Sequence, residues 1–282
     1  MTASAGERAR LIGAMDEYLA ALVDRAPGRL RLAPHLRSTE DTQELPLGCG
    51  IWRTIRGLKG TSHYFVDETA GQVEYWDVMD EMGGEAIVSI RLKIEGTTIA
   101  EGETIVTRVG AFFKPEALAE DPGDFHRVIE PTQRRGRQEM IDVVDLYFDA
   151  IELSQGDIVP VNDNCRRLVN GVVDSLDDPD QLIPGEEHRA LTVSEQITAG
   201  HYAYIEALRA RRYPIVDEER GLAVCHLVFD HPGDLKRAAG DIPIKWPGSM
   251  VFTEVFKIVD GRIEEIWALG TAPLPFGSGS GW

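Results

Sequence analysis

Two titratable residues occupy positions in strand patterns that are otherwise mostly apolar. His226 falls on an alternating face of a predicted strand, 222–230, and Glu254 stands between Phe252 and Phe256 on a face of a second predicted strand. A buried carboxyl group either finds a partner or has its pKa raised, which is how a general acid or base is tuned. We therefore predict that His226 is a general base and that Glu254 is a general acid or orients the imidazole. The alternative for Glu254 is an exposed position on an edge strand.

Asn170 and Arg166 lie in the segment that follows a predicted helix, where we expect the chain to cross the rim of the same pocket. An asparagine amide can donate to a carbonyl, and an arginine can hold a phenolate, enolate or carboxylate. Asn170 precedes Gly171, and an Asn-Gly pair is also a strong signal for a tight turn. Both roles remain open for Asn170.

His201 and Tyr204 share one face of a helix that we predict over residues 195–211, together with Leu208. We expect His201 to contact the substrate. Tyr204 is a candidate for polarising a carbonyl or hydroxyl, although a tyrosine at this spacing also suits a core position.

Four further residues complete the predicted substrate-binding set. Arg212 and Asp217 could clamp the substrate or form a structural ion pair, and Trp246 and Trp267 are aromatic candidates. Trp246 lies in an insertion, 231–248, that we predict to be a lid over the pocket, because Pro-Gly pairs flank it and Ile242, Ile244 and Trp246 alternate. The alternative is a surface hairpin with only a structural role, and the predicted lid also carries Lys236, Arg237 and Lys245.

The composition narrows the classes of partner. The chain has 282 residues, with 29 Lys and Arg against 47 Asp and Glu, which gives a formal charge of −18. Phosphate backbones and anionic membranes would repel such a chain, so we expect neither nucleic acid nor membrane as a partner. No signal peptide or apolar span is recognisable, and Cys49, Cys165 and Cys225 are far apart, which favours the cytoplasm.

Cofactor motifs are missing from the sequence. His226 and His231 are five residues apart and fall on opposite faces of a strand, and no Cys/His group has zinc spacing. No glycine-rich phosphate loop follows a strand. We expect no metal and no other cofactor.

An internal repeat positions the candidate residues. One apolar helix face recurs at an offset of 129, a turn and a strand recur at an offset of 150, and a closing hairpin recurs at an offset of 164. The growing offsets indicate two insertions in the second half. At these offsets Trp76 takes the place of His226 and Ile90 that of Glu254, so we expect the site in the second half, with the first half supporting it.

The repeat predicts an α+β fold of two tandem cone-shaped domains, each with helices packed on a strongly curved antiparallel sheet. The predicted boundaries are 1–113 for the first domain, 114–137 for a linker across the surface, and 138–282 for the second domain. The two halves are expected to pair within the chain as a pseudo-dimer, which leaves a homo-oligomer optional.

The element order of each half resembles the nuclear transport factor 2-like superfamily, which includes SnoaL-like polyketide cyclases, ketosteroid isomerases and scytalone dehydratase. The most similar stretches are RRLVNG at 166–171, RRYPIVDEERG at 211–221 and FKIVDGRI at 256–263. The resemblance covers nearly all of the chain, once per half. It implies an apolar pocket in each cone, often used for acid–base chemistry on ring compounds without a cofactor.

Together these observations favour a cofactor-independent lyase, of dehydration or retro-aldol type, that acts on a small apolar or aromatic molecule. An isomerase or cyclase in the same pocket is the alternative, and a protein that only binds a hydrophobic ligand or serves assembly is another. A third alternative, hydrolysis of an epoxide, would need Asp217, Arg212 and Asp230 to come together.

Overall fold

The computed structural model describes residues 4–59, 62–108, 113–120, 123–182, 184–233, 236–237, 240–241 and 246–282. In the described part of the first half, one long helix precedes seven strands: α1 (Ser4–Val23), β1 (Leu32–Glu40), β2 (Gln43–Glu44), β3 (Ile55–Leu58), β4 (His63–Asp67), β5 (Gln72–Glu81), β6 (Gly84–Glu95) and β7 (Thr98–Thr107). Within the described residues, no helix is both long and apolar enough to span a membrane.

The second half repeats this order after the short helix α2 (Pro115–Glu120). Its elements are α3 (Arg137–Leu153), β8 (Val161–Val169), β9 (Val172–Val173), α4 (Val193–Thr198), β10 (Ala207–Asp217), β11 (Leu222–His231), β12 (Lys236–Arg237), β13 (Gly240–Asp241), β14 (Gly248–Val259) and β15 (Arg262–Gly270). The predicted strands and both predicted hairpin turns are therefore present. The predicted helix over 195–211 is wrong, because α4 ends at Thr198 and β10 begins at Ala207.

The two sheets have equivalent strand orders. The first runs β2-β1-β7-β6-β5-β3, with β4 also paired to β5, and the second runs β9-β8-β15-β14-β11-β10. Both are antiparallel except where the first long strand joins the last, which places Arg37 opposite Glu101 and Arg166 opposite Glu265. Arg37 and Arg166 are separated by the offset of 129, and Glu101 and Glu265 by the offset of 164, so equivalent residues of the repeat pair in the same way. It confirms the α+β fold of two tandem cone-shaped domains.

Each long helix packs its apolar face against the inward face of its own sheet. In the second domain the buried helix residues are Met140, Val144, Tyr147, Phe148 and Ile151, and in the first they are Leu11, Met15, Tyr18, Leu19 and Leu22. The first core also contains Trp52, whose indole meets the Tyr18 ring edge-on, with the ring centroids 5.2 Å apart. Large side chains therefore occupy the inside of the first cone.

The outward faces of the two sheets pack against each other. Trp76 and Val78 of the first sheet join Val224, Val255 and Trp267 of the second in one buried cluster. Leu118 and Phe125, from the segment between the halves, are buried in the same cluster. The prediction that this linker lies across the surface is wrong for Leu118 and Phe125, because their side chains pack between the apolar outward faces of the two sheets. The exact domain boundaries remain a prediction.

A buried ion cluster lies between the two sheets. His226 of β11 places Nε2 2.8 Å from Glu74 Oε2 and Nδ1 3.2 Å from Glu103 Oε1, and all three side chains are at most 3% exposed. Burial alone would lower the pKa of His226, but the two carboxylates outweigh burial and raise it. The same contacts lower the pKa of Glu74 and of Glu103 in spite of their burial.

Further contacts satisfy the two carboxylates. Glu74 Oε1 accepts hydrogen bonds from Trp76, Ser89 and Thr253. Glu103 accepts hydrogen bonds from Arg91 of its own sheet and from Arg212 of the other sheet. Trp282 covers these arginines: its ring centroid lies 4.7 Å from the guanidinium carbon of Arg91 and 5.6 Å from that of Arg212.

Replacing His226 with Gln should lower the free energy of unfolding by about 3–5 kcal/mol, because it leaves buried carboxylates without their counter-charge. Since the folded pKa of His226 is raised, its stabilisation is complete below about pH 6.5 and is lost as the pH rises through the folded value. Urea unfolding at several pH values should therefore show a difference between wild type and variant that shrinks as the pH rises.

His35 provides the matched control for this measurement. It pairs with Glu95 on the surface, with 67% of its side chain exposed. His35→Gln should cost less than about 1 kcal/mol. If both variants lose the same stability, the ion cluster does not hold the sheets together.

Candidate functional site

The second domain contains a cavity of about 290 Å³, lined by the inward face of its sheet, by the segment 201–205 that precedes β10 and by the segment 271–273 that follows β15. Its wall is largely apolar, with Val169, Ile205, Phe229, Met250 and Phe252 among its residues. Thr107 and Arg108 of the first half also line the cavity, so both domains contribute to its wall. Arg108 is held there by Glu81, which accepts from Nε and Nη2 at 2.7 Å each.

A buried polar cluster forms one wall of this cavity. Arg167 of β8 is 4% exposed, and its Nη1 donates to the carboxylate of Asp174 and, at 2.8 Å, to the hydroxyl of Tyr202. The Tyr202 hydroxyl donates in turn to Gln196 Oε1 at 2.7 Å. Burial raises the pKa of Tyr202 well above its usual range. The phenol therefore stays protonated.

Two histidines adjoin this cluster. The rings of His188 and His201 stack with centroids 3.7 Å apart and planes 21° apart, and His188 Nε2 lies 3.9 Å from Asp174 Oδ1. His201, Asp174 and Arg167 all line the cavity. The cavity wall thus brings together a carboxylate, an imidazole and a guanidinium group within a mostly apolar enclosure.

The Asp174, His188 and His201 side chains have potential metal-ligand atoms within 4.8 Å of one another. A metal bound to two imidazoles must lie near the plane of each ring, at about 2.0–2.1 Å from the nitrogen. Two nearly parallel rings 3.7 Å apart cannot share such a position without turning, and Arg167 already pairs with Asp174. The observed geometry therefore does not fit a metal, and the absence of a metal remains a prediction.

Glu254 lies on the inward face of β14 and is fully buried. Neither of its carboxyl oxygens has a hydrogen-bond partner among the described residues. Burial raises the pKa of Glu254 to about 7, although the charge of Arg167 opposes the shift. The alternative of an exposed edge-strand position is wrong. Glu254 is not among the residues that line the cavity, and a catalytic role for it remains a prediction.

The predicted acid–base pair of His226 and Glu254 is wrong because the two side chains lie on opposite faces of one sheet. Directly paired residues of antiparallel strands share a face, and Glu254 pairs with Cys225 whereas His226 pairs with Thr253. Glu254 therefore points into the cone and His226 points to the interface between the domains. Their counterparts Ile90 and Trp76 are divided in the same way between the inner core and the interface.

Asn170 lines the cavity, but its side chain also completes a turn. Its φ of +49° and the φ of +81° at Gly171 form the tight connection between β8 and β9. Its Oδ1 accepts from Gly270 N at 2.9 Å, just as Asp41 Oδ1 accepts from Val106 N in the first domain. The turn role is therefore present in both halves, and a catalytic role for Asn170 remains a prediction.

Arg166 is not a cavity residue. It lies on the outward face of β8, 39% exposed, with Nη1 3.8 Å from Glu265 Oε1. Its neighbour Arg167 points inward instead, because successive residues of a strand face opposite sides. The prediction that Arg166 lies at the pocket is therefore wrong by one residue, because Arg167 is the arginine that lines the cavity.

His201 and Tyr204 both line the cavity, as the prediction of substrate contact requires. They reach it from the turns between α4 and β10 rather than from a helix. Their roles toward a substrate remain predictions.

The other four predicted substrate-binding residues lie elsewhere. Arg212 binds Glu103 between the domains, and Asp217 pairs with Arg8 at 2.8 Å. Trp267 is buried between the sheets, and Trp246 is 80% exposed. The predicted clamp of Arg212 with Asp217 is therefore wrong, and neither tryptophan lines the cavity.

The structure describes only some residues of the predicted lid, 231–248. The backbone pairs Lys236 with Asp241 and Arg237 with Gly240, whereas Ile242, Ile244 and Lys245 lie outside the described residues. The role of a lid remains a prediction.

Sequence reasoning missed Arg167, Asp174 and Tyr202. A signal for Arg167 existed, because the strand pattern around 165–169 allows only one of two adjacent arginines to face inward. Asp174 is brought back to Arg167 by the β8–β9 turn, and Tyr202 depends on an irregular segment. Spacing alone gives no signal for either residue.

The architecture described above agrees with the fold expected for each half, a long helix packed on a mainly antiparallel sheet. A family model described as a domain of unknown function (DUF8021) matches residues 133–270, within the second half. A comparison with curated proteins gives no match.

Several solved structures are similar to about one half of the chain. A SnoaL-like polyketide cyclase from Agrobacterium tumefaciens is 14% identical over 46% of this chain and 90% of its own, with a TM-score of 0.29. AusH from Aspergillus nidulans is 14% identical over 48% of this chain and 85% of its own, with a TM-score of 0.31. A protein of unknown function with a cystatin-like fold from Methylobium petroleophilum is 14% identical over 51% of this chain and 84% of its own, with a TM-score of 0.31.

Replacing Glu254 with Gln tests the buried carboxyl group. Because its folded pKa is about 7 against a usual 4.5, the folded state holds a proton that the unfolded state releases. The free energy of unfolding of the wild type should therefore fall by about 3 kcal/mol between about pH 4.5 and pH 7, at about 1.4 kcal/mol per pH unit. Glu254→Gln should lack this loss and be the more stable protein above pH 7, as measured by urea unfolding.

The exposed Glu206 supplies the control, since Glu206→Gln should leave this part of the pH dependence in place. An unchanged pH dependence in Glu254→Gln would show that the Glu254 carboxyl group finds a partner and is ionised when folded.

Proposed function

We propose that the second domain is an enzyme that moves protons on a small, largely apolar molecule held in its cavity. The observation that carries this proposal is the buried cluster of Arg167, Asp174 and His201 on the wall of an otherwise apolar cavity. Burying such groups is costly, and a concave apolar site with a few convergent polar groups is the usual form of a ligand site.

The volume of the cavity and the residues of its wall limit the size and the polarity of the molecule that it can bind. Ligand sites commonly have volumes of about 300–1,000 Å³, and this cavity has about 290 Å³. A molecule with one or two rings is therefore the largest that the proposal allows. Phe229 and Phe252, whose ring centroids are 4.4 Å apart, provide an aromatic surface for such a ring.

His201 is the proton acceptor in this proposal. It lines the cavity, and its stacking on His188 connects it with the carboxylate of Asp174. Removing a proton next to a carbonyl leaves negative charge on the carbonyl oxygen, which needs a donor. Arg167 supplies one, because its Nε is buried at the cavity wall and has no hydrogen-bond partner among the described residues.

The outcome of this proton transfer is that of an isomerase or a cyclase. Returning the proton to another carbon atom shifts a double bond, and attack of the enolate carbon on a second carbonyl closes a ring. The lyase reaction predicted from the sequence needs an acid and a base that act together, and its predicted pair, His226 and Glu254, is divided between two faces of the sheet. Dehydration and retro-aldol cleavage remain predictions.

Exchange of the methyl protons of acetophenone with deuterium from D2O, followed by NMR, tests the proposal without the natural substrate. The wild type should accelerate the exchange, and it should do so equally after treatment with a chelator. His201→Gln should lower the catalysed rate about 100-fold or more, since general base catalysis contributes about 10²–10⁴-fold. Asp174→Asn should also lower it, because it removes the charge beside the two histidines.

His35→Gln is the control, with a surface histidine of the first domain replaced and no expected change in exchange. If acetophenone binds but exchanges no faster than in buffer, the second domain binds ligands without chemistry and the enzyme proposal falls. If His201→Gln exchanges as fast as the wild type, a different group is the base.

A further inference from the structure

His231 is the last residue of β11 and points to the inside of the second domain. Alternation along the strand places it on the same face as Phe229, a cavity residue, and on the face opposite His226. Its side chain is 1% exposed. Its ring centroid lies 5.5 Å from that of Tyr204, which also lines the cavity.

A backbone contact determines which nitrogen of this imidazole carries the proton. Gly233 N donates to His231 Nδ1 at 2.8 Å, so Nδ1 is the acceptor and Nε2 carries the hydrogen of the neutral ring. Burial lowers the pKa of His231, which favours this neutral form. His231 therefore presents a neutral N–H donor.

The backbone conformation at Gly233 supports its hydrogen bond to His231. Gly233 has a φ of +74°, and a Cβ atom there would lie 2.8 Å from the nitrogen of Pro247. The two ends of the insertion therefore meet at this glycine. This close approach holds the Gly233 N–H against the imidazole and fixes the ring orientation.

The Nε2 atom of His231 is buried and has no hydrogen-bond partner among the residues that the structure describes. Leaving a buried donor unpaired costs about 1–3 kcal/mol. Because the ring is neutral, the partner that suits it is an uncharged oxygen acceptor rather than an anion. His231 is not itself among the lining residues, and Tyr204 and Phe229, which are, form the part of the cavity wall beside it.

We propose that His231 is a specificity-determining residue, which donates a hydrogen bond from Nε2 to a second, uncharged oxygen of the molecule bound in the cavity. This inference rests on the proposed function, in which Arg167 holds the reacting carbonyl. The substrate class is then an apolar ring compound with two oxygen functions, one that reacts and one that is only recognised.

Matched pairs of aromatic ketones test this inference. 1,3- and 1,4-diacetylbenzene each carry a second carbonyl, and 3- and 4-isopropylacetophenone have the same shape without it. The readout is the ratio of the dissociation constants within a pair, measured by NMR titration. For at least one pair, His231→Phe should shift this ratio about tenfold toward the isopropyl compound, which is the order of one neutral hydrogen bond. His231→Gln, which keeps an amide donor, should shift it less, and His35→Gln should not shift it.

A ratio that is the same in wild type and His231→Phe for both pairs would overturn the inference. The proposed function would still stand if acetophenone exchange continued to depend on His201. If none of the ketones binds the wild type, the proposed function and this inference both fall.

The tautomer offers a second test that needs no variant. In the ¹⁵N-labelled wild-type protein, the His231 ring at pH 7.5 should show a protonated Nε2 and an unprotonated Nδ1, and 1,3- or 1,4-diacetylbenzene should shift the Nε2 signal. A ring with the proton on Nδ1, or an Nε2 signal that neither diketone moves, would overturn the inference even if His231→Phe failed to fold.

Discussion

The contact between the outward faces of the two sheets is the constraint on which the rest of the structure depends. Each sheet needs one face for its helix and must cover the other, and the chain covers both by packing sheet against sheet. The ion cluster of His226, Glu74 and Glu103 fixes their alignment, because a buried charge pair tolerates little displacement. Once the outward faces are fixed, the inward faces and therefore both cone interiors are fixed as well.

The same constraint allows the two halves to differ inside. The first interior is occupied by large side chains such as Tyr18 and Trp52. The second contains the cavity, with Arg167 and Asp174 in its wall. Thr107 and Arg108, at the end of the first sheet, line this cavity as well. The first domain thus contributes two residues to the wall of the second domain's cavity.

The sequence was sufficient for the fold because the repeat and the alternation of strands are local patterns. It was not sufficient for the site. Alternation shows which residues of one strand share a face, but it does not show the register with the neighbouring strand, which decides which of that strand's residues lie on the same side of the sheet. The sequence therefore predicts His226 and Glu254 on one face, whereas Glu254 in fact pairs with Cys225, the neighbour of His226. The prediction of Arg166 rather than Arg167 has a similar cause, because a shift of one residue exchanges the two faces of a strand.

The buried polar atoms that lack partners distinguish the two interiors. Among the described residues, Arg167 Nε, His231 Nε2 and both oxygens of Glu254 belong to the inward side of the second domain. The apolar cluster inside the first domain has no comparable group in the part of the chain that the structure describes. A folded core gains stability by removing such atoms, because each costs free energy when it is buried alone. Of these residues Arg167 lines the cavity, and the proposed function gives its Nε the carbonyl oxygen of a bound molecule as the missing partner.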